Sequence, residues 1–241
     1  MLWPDRERQL AIEPRRSRIF QKIQVRMSII HIITPENEPK YSDEMGQAYR
    51  LRRHVFLEKK GWNGLAKPDG REIDKFDKKH AVHMLYIEHS NVLEYLRVVP
   101  TTSPHLLSEV MSDLFEVEPP FGAHIWQISC HCVASGFRSD GRLASSLVEW
   151  DLACRISSFI LAIEPISLLP LINLHFQPLP LGLPREIDGQ DVMAVMLGFD
   201  ERTLERLREM QPLAGGSRCH DLAHEQRLAV YDASYLELAQ R

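Results

Sequence analysis

Two runs of β-forming residues, AVHMLYIE at 81–88 and VLEYLRVV at 92–99, are separated by a turn marked by Ser90 and Asn91. A connection this short permits only an antiparallel hairpin, because parallel strands need a crossover of a dozen or more residues. Other elements arrange themselves around that hairpin. An apolar run begins at Met27 (MSIIHIITP) and reads as a first strand. A helix is predicted from Ser42 to Lys60, with Ser42 or Asp43 as its N-cap. Leu106, Leu107, Val110, Met111 and Leu114 give 105–115 one apolar face, a second helix, and 123–133 is another strand. Further helices are predicted over 142–155 and from an Asp200 cap through Arg208, with a buried strand at 159–164 and a last strand region at VMAVML. Strands that begin antiparallel and then alternate with helices predict an α/β fold, a three-layer α/β/α sandwich with a central mixed sheet.

With 241 residues, 44% of them hydrophobic, the chain can build one sizeable core, and it contains no internal repeat. Residues 1–26 are rich in Arg and lack an apolar signal core, so they read as an extension that is disordered or not translated. The domain is expected over 27–215, followed by a tail at 216–241. A formal net charge of −4 argues against nucleic acid as the main partner. The four cysteines, at 130, 132, 154 and 219, lack the CxxC spacing of metal or redox sites and read as reduced thiols in a cytoplasmic protein without a metal. From 156 to 184 there is no Lys or Arg, and Glu164 is the single formal charge. Prolines in that stretch break any long helix and exclude a membrane span.

Chemistry concentrates at 49–77, YRLRRHVFLEKKGWNGLAKPDGREIDKFD. Leu51, Val55 and Phe56 form an apolar helix face, with Arg52 on a neighbouring stripe one turn before Phe56. Gly61 ends the helix and Trp62 follows. The turn residues Pro68, Asp69 and Gly70 then lead into Glu72, Asp74 and Asp77, carboxylates crowded enough to need cations. Arg97, inside an apolar strand, must find a carboxylate or a ligand. Taken alone, Phe56 and Trp62 read as core at a helix end rather than as a binding surface, and Arg52 with Asp74 reads as a structural ion pair.

The ordered set Arg52, Phe56, Trp62, Asp74, Asp77, Arg97 in LRVVPTT and Trp126 in HIWQIS resembles the acyl-homoserine-lactone synthases, the LuxI-type autoinducer synthases of bacterial quorum sensing. The resemblance runs from about 27 to about 210 and is strongest from Arg52 to Ser129. It implies the fold of the GCN5-related N-acetyltransferases. It also implies an acyltransferase that moves an acyl chain from acyl carrier protein to the amine of S-adenosylmethionine, then closes the lactone with release of methylthioadenosine. No cofactor is implied, since S-adenosylmethionine is a substrate. On this resemblance Arg52, Asp74, Asp77, Arg97 and Gln127 are the catalytic candidates, and Phe56, Trp62, Trp126 and Cys130 the substrate-binding ones. The carboxylates would face the ammonium and sulfonium, the aromatics the adenine or sulfonium, and the arginines the substrate carboxylate.

The chain departs from the family's pattern in four places. Where the family has W-E-x-S-R, this sequence has Trp126, Gln127, Ile128, Ser129 and Cys130, so a glutamate proposed as the base becomes a neutral amide and an arginine becomes a thiol. Losing both keeps the local charge, whereas losing one would strand a buried charge. Glu94 replaces a usual glycine. The uncharged stretch at 156–184 replaces a basic helix associated with carrier docking, although 50–79 carries ten Lys or Arg against five Asp or Glu, a net of +5 that offers a substitute surface. Two further readings therefore stand beside the synthase: a degenerate member that only binds, and a general acyl-coenzyme A N-acyltransferase whose pyrophosphate loop would be Arg138 to Leu143.

Overall fold

A computed structural model describes residues 28–59, 70–77, 79–187 and 189–211. The extension at 1–26, the tail at 216–241 and Trp62 lie outside the described residues. In chain order the elements are β1 (Ser28–Ile33), α1 (Ser42–Arg53), β2 (Val82–Glu88), β3 (Asn91–Pro100), α2 (Leu106–Glu109), β4 (Ile125–Val133) and α3 (Arg142–Cys154). They continue with β5 (Ser158–Ile163), α4 (Leu168–Asn173), β6 (Gln177–Pro180), β7 (Arg185–Ile187), β8 (Gln190–Gly198) and α5 (Glu201–Glu209). The sheet runs β1-β2-β3-β4-β5-β8-β6, with β7 paired to β8 off that path. Among the described residues only β4 and β5 pair in parallel, so the sheet is mixed as the sequence predicts.

The hairpin forms as expected, and its turn is His89 and Ser90, both left-handed at φ 51° and 64°. Two successive positive φ values match the right-handed strand twist, which is why so short a loop closes β2 onto β3. Alternate residues of these strands then feed two cores. Leu85, Tyr95 and Cys132 pack with Met45, Ala48 and Phe56 beneath α1, and with Leu106 and Leu107 of α2. Met84, Leu96 and Ile128 pack with Leu143, Leu147 and Val148 of α3, Leu171 of α4 and Leu207 of α5. Helices thus cover both faces, giving the three-layer α/β/α arrangement.

Several boundaries differ from expectation. Neither Ser42 nor Asp43 caps α1. Tyr41 is its N-cap, without a side-chain bond, because a 3₁₀ turn at Glu38–Tyr41 feeds the chain straight into the helix. Past Arg53 the helix widens into π geometry over His54–Lys59. The helix expected at 105–115 stops at Glu109, with a 3₁₀ turn following at Ser112–Leu114. Its apolar residues are buried as the periodicity requires, but Ser112 and Asp113 favour local turns over a continuing helix. Pro170 and the Pro178/Pro180 pair keep α4 to six residues and confine β6 to a sheet edge. No helix among the described residues is long and apolar enough to cross a membrane.

One core residue is at odds with its surroundings. Asp151 of α3 is fully buried, and neither of its side-chain oxygens has a hydrogen-bond partner among the described residues. Burial pushes its carboxyl up to about 9. A folded pKa above the unfolded value means that this group's contribution to stability is complete below about pH 4 and is lost as pH rises. Asp151→Asn is therefore expected to raise Tm at pH 7 by at least ~4 °C, with the gain shrinking towards pH 4. Scanning calorimetry at both pH values checks this, and an equal or lower Tm at pH 7 would contradict it.

Candidate active site

The last turn of α1 aims Arg52 into the layer between helix and sheet, where it is completely buried. A guanidinium there must be met by carboxylates. They come from 72–77, a segment drawn under α1 by a backbone bond from the Glu72 N–H to the Tyr49 carbonyl, 3.1 Å. Arg52 Nε donates to Glu72 Oε2 at 2.5 Å, and Arg52 Nη1 to Asp77 Oδ1 at 2.5 Å. Arg97 enters from β3, equally buried, and its Nη1 donates to Asp74 Oδ1 at 2.7 Å and to Asp77 Oδ1 at 2.8 Å. Arg97 Nε reaches Ser129 Oγ on the paired residue of β4, 3.0 Å away. Arg52 Nη2 lies 3.8 Å from Asp74 Oδ2, the ion pair expected from the sequence, and Glu72 and Asp77 join it at shorter range.

The carboxylate segment is locally locked. Asp77 Oδ2 accepts from the Asp74 N–H and Asp74 Oδ1 from the Phe76 N–H, each at 2.7 Å. Asp77 thus has both oxygens occupied and is 5% exposed. Glu72 is buried too, which leaves Asp74 as the least enclosed of the three. The three carboxylates and two guanidiniums sum to one excess negative charge when all are ionised.

Environment separates the carboxylates. Burial would raise Asp77, but the guanidiniums of Arg52 and Arg97 and then His83 outweigh it and hold the carboxyl well below its usual range. At Glu72 burial prevails over Arg52, and the carboxyl rises to about 7. Beneath them His83, buried and lowered by that burial to about 4, is a neutral imidazole at physiological pH. Its Nδ1 lies 2.8 Å from Tyr95 Oη, and that same oxygen accepts from Arg52 Nη1 at 3.3 Å.

The structure brings Arg52, Asp74, Asp77 and Arg97 together. Gln127 is 1% exposed on the same side of the sheet but is committed elsewhere: its Oε1 accepts from the Leu106 N–H at 3.0 Å and its Nε2 donates to the Ile128 carbonyl at 3.2 Å. It holds the start of α2. Cys130 is fully buried within a bulge of β4, at φ 55°, where two residues of β4 oppose Leu96. Phe56 is core at 1% exposure, packed on the same side as the cluster. Trp126 does not join them. It packs on the opposite face, edge-on to Trp150 of α3 at 5.5 Å, with its indole N–H on the Ala123 carbonyl. Alternation explains this: Trp126 and Gln127 are adjacent in a strand and face opposite ways.

Glu72, His83, Tyr95 and Ser129 are members of the cluster that motif reasoning did not assign. Strand alternation could have found two of them. Tyr95 and Arg97 stand two apart on β3, and His83 is the cross-strand partner of Arg97, so all three share one face.

This geometry agrees with comparisons to known proteins. A family model described as autoinducer synthase matches residues 36–163. Isovaleryl-homoserine lactone synthase from Bradyrhizobium diazoefficiens is 32% identical over 186 residues, covering 75% of this chain and 84% of that protein. Two solved structures of coenzyme A-dependent acyl-homoserine lactone synthases align closely. BjaI, with S-adenosylmethionine and isopentyl-coenzyme A, has a TM-score of 0.73 at 29% identity, covering 88% of this chain and 99% of BjaI. MesI has a TM-score of 0.72 at 27% identity, covering 78% of this chain and 97% of MesI. The chain belongs to the autoinducer synthase family, the acyltransferases known as acyl-homoserine-lactone synthases.

Proposed function

We propose that this chain makes an acyl-homoserine lactone from S-adenosylmethionine and an acyl thioester, with the arginine–carboxylate cluster as the S-adenosylmethionine site. The observation that carries this reading is the excess carboxylate charge set against two buried guanidiniums. A substrate bearing an ammonium and a sulfonium is drawn to that excess, and Asp74, the least enclosed carboxylate, is the group that meets it. The substrate amine attacks the thioester carbonyl, the thiol leaves, and the amide forms. A substrate carboxylate oxygen then attacks the carbon bearing the sulfonium. That carbon–sulfur bond breaks and neutral methylthioadenosine departs.

At position 127 an amide stands where a base would help remove the amine proton. An α-amine has a reference pKa near 8, so roughly a tenth is unprotonated at pH 7. Turnover relies on that fraction and on positioning, about 10² to 10⁴ slower than with a placed base.

For the acyl donor, the carrier protein expected from the sequence competes with coenzyme A, and two features favour coenzyme A. Arg52 is buried in ion pairs, so the basic stretch at 50–79 is weaker as a docking surface than its charge suggests. The parallel pairing of β4 with β5 runs only from Ile125↔Ser158 to Gln127↔Ile160, although both strands continue. Past that point the backbone edges are available to an extended amide-bearing arm. α3 begins nearby at Gly141 beside exposed Arg138, but the Arg142 N–H already donates to Asp140 Oδ1 at 3.2 Å, so a diphosphate there would have to displace that carboxylate.

Three outcomes test this function. Purified protein with S-adenosylmethionine and branched acyl-coenzyme A should give a lactone detectable by mass spectrometry. Product with acyl carrier protein alone would reverse the donor assignment, and no product with either would leave a binding protein. Asp74→Asn should raise KM for S-adenosylmethionine at least tenfold and cost less stability than Asp77→Asn, which strands two buried cations and should lower stability by about 3–5 kcal/mol, read by urea denaturation. Glu72 ionises as pH rises through about 7, adding negative charge where a cation binds. Affinity for S-adenosylmethionine should therefore strengthen from pH 6 to 8 by several-fold more in the unaltered protein than in Glu72→Gln, measured by calorimetry.

A further inference from the structure

We infer that His83 and Tyr95 are positioning residues that set the orientation of the Asp77 hub, and through it the reach of Asp74 towards substrate. This rests on the S-adenosylmethionine reading above. Tyr95 Oη accepts from Arg52 Nη1 at 3.3 Å and lies 2.8 Å from His83 Nδ1. Arg52 Nη1 also donates to Asp77 Oδ1. A line of contacts therefore runs from His83 through Tyr95 and Arg52 to Asp77.

Tyr95 is completely buried and His83 is 2% exposed, with their rings stacked at a centroid distance of 5.9 Å. The Arg52 guanidinium carbon sits 5.6 Å from the Tyr95 ring centre, so the ring supports the cation as well as the hydroxyl does. Arg52 itself lies 3.8 Å from Asp74, which takes further bearings from its neighbours. Its N–H is bound by Asp77 Oδ2, and its Oδ1 shares Arg97 Nη1 with Asp77 Oδ1 and also accepts from the Phe76 N–H. A shift of the Arg52–Asp77 pair thus moves the Arg52 contact and two of the bonds that orient Asp74.

Tyr95→Phe keeps the ring and the cation–π contact while removing both hydrogen bonds, and His83→Asn keeps an acceptor for Tyr95 while removing the ring stacked on it. Binding of S-adenosylmethionine to the full chain is read by calorimetry, alongside KM for each substrate. Tyr95→Phe is expected to weaken S-adenosylmethionine binding and raise its KM five- to tenfold, with KM for the acyl thioester unchanged. His83→Asn should fall between Tyr95→Phe and the unaltered protein. Unchanged S-adenosylmethionine binding in a folded Tyr95→Phe overturns the inference, as does an equal rise in both KM values. If Tyr95→Phe does not fold, His83→Asn binding as tightly as the unaltered protein overturns it equally. An unaltered protein that binds no S-adenosylmethionine overturns the reading on which the inference stands.

Discussion

Asp77 is shared by two buried arginines, and the site depends on that sharing. Arg52 arrives from a helix and Arg97 from a strand, and both donate to the same carboxylate oxygen. Two guanidiniums this close repel one another, and in a layer sealed from water nothing screens them. A carboxylate between them turns the repulsion into a clamp that joins α1, the 72–77 segment and β3. Ion clusters of this kind contribute little net stability, because desolvation offsets most of the attraction, but removing one member is costly. Their role is to fix geometry, and here they fix where one excess negative charge sits.

That charge is adjustable. Burial opposes ionisation of both carboxylates, but Asp77 has two cations to overcome it, whereas Glu72 has Arg52, which it shares with Asp77, and is pushed towards neutrality. Near neutral pH the cluster is poised between balanced and negative. An arriving cation tips it by drawing a proton off Glu72, so binding and proton release are linked.

Much of this was legible in the residues before any coordinates. The hairpin at 81–99 dictated an antiparallel start, and the alternation of later elements gave the layered fold. The ordered motif brought Arg52, Asp74, Asp77 and Arg97 to one place and the crowded carboxylates included Glu72, but which guanidinium each carboxylate meets at short range was not legible. What stayed hidden was tertiary. Trp126 belongs to the same motif yet faces away, because strand alternation puts it on the α3 side. The helix expected over 105–115 is short because its hydrophobic period is satisfied by separate turns as well as by a continuous helix. The bulge at Cys130 turns that buried side chain onto the Ser129 side, an arrangement no period-2 pattern predicts.

The saturation of Asp77 bears on how such a site can be blocked. A cationic inhibitor gains nothing by reaching for the most acidic group, whose oxygens already serve two arginines and a backbone amide. Its useful anchor is Asp74, whose side chain is 5% exposed against 1% for Asp77. A compound extended to meet Asp74, carrying its positive charge a few ångströms short of the clamp, exploits the field of the cluster without having to dismantle it.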